Sequence, residues 1–151
     1  MRAETFLKQG RLLDRRIEYH LRKLAELREA ACSLPTSGFS GERVQTSRSG
    51  DAPFVRALMR VEEMQERINR EIDRLAELKE SILDMISLAG DEELRMVLIY
   101  KDLEGMTGEQ IARKLHVDRS TVVRWHSKAI NRIQTKLDSV QDDPDGKSGF
   151  N

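Results

Sequence analysis

The sequence predicts an all-α chain: a long N-terminal antiparallel helical hairpin of coiled-coil character, followed by a C-terminal helix-turn-helix. Three observations predict it. Charged residues make up 34% of the 151 residues and aromatic ones only 5%, a balance that suits long solvated helices with narrow apolar stripes better than a sandwich or a doubly wound sheet. Apolar residues recur at threes and fours over two long stretches that contain neither Pro nor Gly beyond Gly10. Shorter apolar clusters separated by turn signals then follow Gly90.

Residues 1–32 form the first helix, with Leu13, Ile17, Leu21, Leu24, Leu27 and Ala31 on one face and Arg16, Arg22, Lys23, Glu26 and Glu29 on the other. So narrow a stripe is not stable alone and needs a partner helix. Residues 33–53, "SLPTSGFSGERVQTSRSGDAP", change character to Ser, Gly, Pro and Thr and read as a flexible linker. Residues 54–89 form the longer helix. Val61, Ile68, Leu75 and Ile82 recur seven apart, and Met64, Ile72, Leu78, Met85 and Ile86 fill the turns between them. At about 1.5 Å per residue the two helices span roughly 40 and 50 Å, so they match as a hairpin; a homodimer through that hairpin covers the stripe instead or as well. Gly90 suits a helix end, and Asp91 with Glu93 a new start. Residues 90–138 are then the helix-turn-helix domain, and the polar stretch 139–151 a disordered tail.

Composition excludes several function classes. The single Cys32 forms neither an intrachain disulfide nor a zinc cluster and suits a reducing cytoplasm. No run approaches the roughly 18 apolar residues of a membrane span, and Met1–Gly10 lacks the apolar region of a signal peptide. His20, His116 and His126 do not have metal-ligand spacing; His126 is read as solvated rather than as a contact. No phosphate-binding loop, nucleophile elbow or Cys–His pairing is present. The 11 acidic and 4 basic residues between Val61 and Glu93 are a solvated helix face with Glu–Arg pairs rather than a catalytic carboxylate pair. The expectation is therefore no enzyme, no metal and no cofactor.

The formal net charge is zero, but it is unevenly spread. Between residues 108 and 137 there are 7 basic residues and 2 acidic ones, Glu109 and Asp118, whereas the tail from Asp138 holds one Lys against four Asp. Whole-chain charge hides one basic segment.

That segment carries the informative pattern. A first helix holds Leu94, Val97, Leu98, Tyr100 and Leu103 and turns at Gly105; a second runs from Gly108 to Leu115; Asp118 caps a third. Ile111, Ala112, Leu115, Val117, Val122 and Trp125 have the spacing of a helix-turn-helix core, with Ala112 where the two helices cross and Trp125 in the core rather than stacked on a base. His116 stands where the tight turn commonly has Gly, at a cost of about 1 kcal/mol if φ is positive. With the inward stripe set, Arg119, Ser120, Thr121, Val123, Arg124, Ser127 and Lys128 face outward, and no carboxylate interrupts them after Asp118. Such a helix fits the major groove of double-stranded DNA. Arg119 and Arg124 suit guanine, Ser120 and Thr121 base edges or phosphate, and Val123 a thymine methyl. Lys128, Arg132, Arg113 and Lys114 suit phosphates.

The motif T-x-x-x-I-A-x-x-L-x-V-x-x-S-T-V, present as Thr107, Ile111, Ala112, Leu115, Val117, Ser120, Thr121 and Val122, resembles the fourth conserved region of sigma-70-type factors. The layout as a whole, with the phrase "INREIDRLAELKESIL", is similar to the phage late-gene regulators of the ArpU/RinA type. The resemblance implies a sequence-specific transcription regulator, an activator of phage or prophage late genes in the bacterial host cytoplasm, with DNA and host RNA polymerase as partners. A small terminase-like packaging or assembly subunit is the alternative, although such subunits usually carry the motif at the N-terminus. A complete sigma factor is not expected. Promoter opening traps flipped bases on aromatic platforms, and no Phe, Tyr or Trp occurs from Val55 to Gly90.

Overall fold

The structure, a computed structural model, describes residues 2–34 and 52–142. The core of the expected linker and the end of the expected tail lie outside the described residues. Among the described residues five α-helices occur in order: α1 Ala3–Ser33, α2 Pro53–Ser87, α3 Glu92–Leu98, α4 Gly108–Leu115 and α5 Arg119–Gln141, with α3 running on into a π-helical turn, Ile99–Leu103. No strand occurs among the described residues. The chain is all-α, and α5 continues beyond residue 138, where the domain was expected to stop.

The chain divides into two compact units, Asp14–Arg74 on the one hand and Met1–Leu13 with Leu75–Asn151 on the other. Within Asp14–Arg74 the helices are antiparallel. Glu71 receives Arg16 at 3.1 Å and His20 at 2.8 Å, while Gln65 accepts from Arg28 at 2.8 Å, so rising numbers in α1 meet falling numbers in α2. Ile17, Leu24, Ala31 and Ile68 are buried in this seam. Leu21 and Ile72 are not: both belong to the expected stripe, yet each is 45% exposed. An ideal helix falls about 20° short of two full turns in seven residues, so stripe members drift to the flank of a straight pair.

The second unit is broader than the expected domain of residues 90–138. Ala3 and Leu7 of α1, Ile82, Met85 and Ile86 of α2 and Ala89 just after it share one buried cluster with Leu94, Leu98, Ala129 and Ile133. Gln134 of α5 accepts a hydrogen bond from the Ala3 backbone N–H at 2.9 Å, satisfying a donor that the first turn of α1 leaves free. A second cluster, Val97, Ile111, Ala112 and Val122, lies beneath the helix-turn-helix. Gly90 and Gly105, at φ 88° and 70°, turn the chain out of α2 and out of the π-helical turn.

The contrast between seam and flank has a measurable consequence. Ile68 is fully buried in the seam, so Ile68→Ala should lower the unfolding free energy by about 2–5 kcal/mol. Ile72→Ala, at a flank position, should change it by only about 0.5–1 kcal/mol. Urea denaturation of both variants checks the pair; equal losses would place Ile72 in the seam after all.

Candidate nucleic-acid interface

The site is built on two turns and one long helix. At the start of α4 the Thr107 side chain accepts from the Gln110 backbone N–H while the Gln110 side chain accepts from the Thr107 N–H, a reciprocal capping box. At its end His116 takes the left-handed conformation, φ 55° and ψ 44°, and the Val117 N–H reaches back to the Ala112 carbonyl at 3.0 Å. This is the turn that a glycine would adopt without strain. Asp118 has the extended backbone of an N-cap, but its side chain makes no capping bond to α5.

Beneath these turns Ile111, Ala112 and Val122 are buried, with Leu115, Val117 and Trp125 packed against them. Trp125 also packs against the cluster that holds Leu94, Leu98, Ala129 and Ile133. The ring is thus a partly buried member of the core, shared by the two apolar clusters.

On the other side of α5, Arg119, Ser120, Val123, Arg124, Ser127 and Lys128 are exposed, Val123 to 57%, and Thr121 is half-buried at the edge. Arg119 lies 3.6 Å from Glu109; both side chains are well exposed, so this contact is weak and easily exchanged for another anion. Arg113 and Lys114 are exposed on α4, with the Lys114 ammonium 4.7 Å from the centre of the Tyr100 ring. Arg132 is placed differently. Its guanidinium donates to Asp91 at 2.7 Å and to the Ala89 carbonyl at 3.3 Å, tying α5 to the junction of α2 and α3. Its charge is already matched, which sets it apart from Lys128.

His126 corrects the expectation of a solvated ring. Its side chain is only 11% exposed and its Nε2 stands 3.2 Å from Asp102 Oδ2, within hydrogen-bonding distance. Asp102 itself is 4% exposed and lies in the π-helical turn. Both belong to the interior of the domain, where the sequence alone did not place them. A signal existed, since Leu94, Leu98 and Asp102 follow one another at fours, as do Val122 and His126. Among the described residues no group of His, Cys, Asp or Glu is arranged to hold a metal, and no helix is long and apolar enough to cross a membrane.

Residues 91–133 match the family model for sigma-70, region 4. The match begins at the Asp91 that receives Arg132 and ends at the buried Ile133, so it takes in the whole helix-turn-helix. Neither the curated proteins nor the solved structures give a match to the chain. The C-terminal domain is thus a region-4-like helix-turn-helix.

Two substitutions probe the scaffold of this domain. His116→Gly should raise stability by about 1 kcal/mol, since it relieves a left-handed non-glycine residue. Asp102→Ala should lower it by about 1–3 kcal/mol by stranding a mostly buried His126, and Asp102→Asn should restore part of the loss. Thermal denaturation of the three variants reads both effects; an unchanged melting temperature for Asp102→Ala would remove the pair from the scaffold.

Proposed function

We propose that the chain is a sequence-specific DNA-binding transcription regulator that acts with bacterial RNA polymerase at a promoter, of the kind that activates phage or prophage late genes. The observation that carries this reading is the outward face of α5: exposed, basic and free of carboxylates from Arg119 to Leu137, on a region-4-like core. In a helix-turn-helix the N-terminal residues of the recognition helix meet base edges. Arg119 and Arg124 then take guanines, Ser120, Thr121 and Ser127 base edges or phosphate, and Val123 a thymine methyl, while Lys128, Arg113 and Lys114 take phosphates. Arg132, held by Asp91, stays with the scaffold.

The polymerase enters the proposal through the region-4 likeness and through what the chain lacks. Val55–Gly90 has no aromatic residue on which to trap an unpaired base, so a separate machine has to open the duplex. The hairpin within Asp14–Arg74 serves as the dimerisation or docking arm, with Leu21, Leu58 and Ile72 exposed on it.

Selection of bound duplexes from a random pool, followed by transcription with purified bacterial polymerase, tests site, partner and sign of effect together. A monomer or dimer by light scattering is expected; a ring of many subunits would move the reading to DNA packaging. Arg124→Ala should weaken binding to the selected site by about 1–3 kcal/mol and leave random-sequence binding much less changed. Equal losses on both would reduce Arg124 to a phosphate contact.

A further inference from the structure

The region-4 match ends at residue 133, but α5 continues to Gln141. Its 23 residues span about 35 Å, far more than the roughly 12 Å width of a major groove requires. The extra length is not blank. Arg124, Lys128, Arg132 and Lys136 recur at every fourth residue, so they form one row with steps of about 6 Å along the axis. Ser127, Asn131 and Thr135 form a second row beside it, also at fours. Together the rows line one wall of an open groove whose other wall is the junction Ala89–Gly90, and none of the residues lining it is acidic. Arg132 is neutralised by Asp91 at 2.7 Å, which leaves Arg124, Lys128 and Lys136 as its spare cations, all three exposed. Gly90 has no side chain to raise the far wall.

We propose that this groove is a phosphate track: the DNA backbone flanking the major groove runs along the C-terminal half of α5, held by Lys128 and Lys136 with Asn131 and Thr135 donating between them, and passes over Gly90. The proposal rests on the DNA-binding reading above and extends its footprint by Asn131, Thr135 and Lys136. Two features favour a nucleic-acid backbone over an acidic polypeptide. The groove is continuous with the outward face of α5, since Arg124, Ser127 and Lys128 belong to both. Short neutral donors interleaved with Lys and Arg are also the side chains that contact phosphates in protein–DNA complexes. Asn131 and Lys136 lie about 10 and 18 Å beyond Arg124 along the axis, past the base-reading turn and level with the neighbouring backbone.

The test uses the full chain and a 40-base-pair duplex of random sequence, with binding followed by fluorescence anisotropy between 50 and 300 mM salt. Lys136→Ala should weaken binding about five- to tenfold at 0.1 M salt and flatten the slope of log affinity against log salt by about 1, as expected for one lost phosphate contact. Asn131→Asp should weaken it further by placing a carboxylate in the track. Both positions are exposed, so the variants should melt at the wild-type temperature, which a circular dichroism scan verifies. If the wild type binds and Arg113→Ala, at a phosphate contact outside the track, weakens it while Lys136→Ala and Asn131→Asp change neither affinity nor slope, the track is refuted and the DNA-binding reading stands. If the wild type ignores duplex even at 50 mM salt, both fall. Polyglutamate bound by the wild type as tightly as duplex would assign the groove to an acidic protein and overturn the track.

Discussion

One side chain has to satisfy two cores at once. Trp125 packs against the cluster under the helix-turn-helix, Ile111, Ala112 and Val122, and also against the cluster built from α1, α2, α3 and the middle of α5. Protein interiors are close-packed and side chains in them hold single rotamers, so a large ring shared by two clusters fixes the rotation of α5 about its own axis. Everything offered on the outer side follows from that rotation. Were α5 turned by one residue, about 100°, so that each side chain took the place of the next, Arg124, Lys128 and Arg132 would move to the places of Trp125, Ala129 and Ile133, against apolar neighbours.

Charge is managed locally, which is why a chain of zero formal net charge can present a basic face. Arg132 is matched by Asp91 and Arg16 by Glu71, whereas Lys8–Glu4 and Lys23–Glu26 are exposed pairs within one helix, worth little each. The acidic residues concentrate in α2 and at the start of α3 rather than on α5. In water at physiological salt, interactions between exposed charges fade beyond about 8 Å, so an acidic helix elsewhere does not cancel a basic row. On the proposed reading the local sign, not the total, decides what approaches α5.

Much of this was legible because its causes are short-range. The capping box needs only Thr107 and Gln110 three residues apart, and the turns need Gly90 and Gly105 at chain reversals. His116 could be marked as the strained position because a helix end before Val117 calls for left-handed backbone, whichever residue occupies it. What escaped depends on partners far along the chain. That Ala3 and Leu7 would join the core beneath α5 cannot be read from their own neighbours, since an amphipathic stripe states that it needs cover and not what provides it. Leu21 and Ile72 were placed in the seam because a heptad reading treats every stripe member alike. Asp102 escaped for the opposite reason: a carboxylate in a helical row is assumed to face water, and only its pairing with His126 makes burial tolerable.

The π-helical turn joins the scaffold to α5. Such turns are rare and often occur at functional positions. This one, Ile99–Leu103, holds Asp102 beside His126, one residue after the Trp125 that the two clusters share. Along α5 the anchors therefore come in succession: Val122 and Trp125, then His126 on Asp102, then Ala129 and Ile133, then Gln134 on the first turn of α1. A helix held at successive turns does not bend or roll locally when one end meets a ligand. Whatever the N-terminal turn of α5 engages, the rows that end at Thr135 and Lys136 are carried to a defined place beside it, and the far end of the helix belongs to the same surface as the near one.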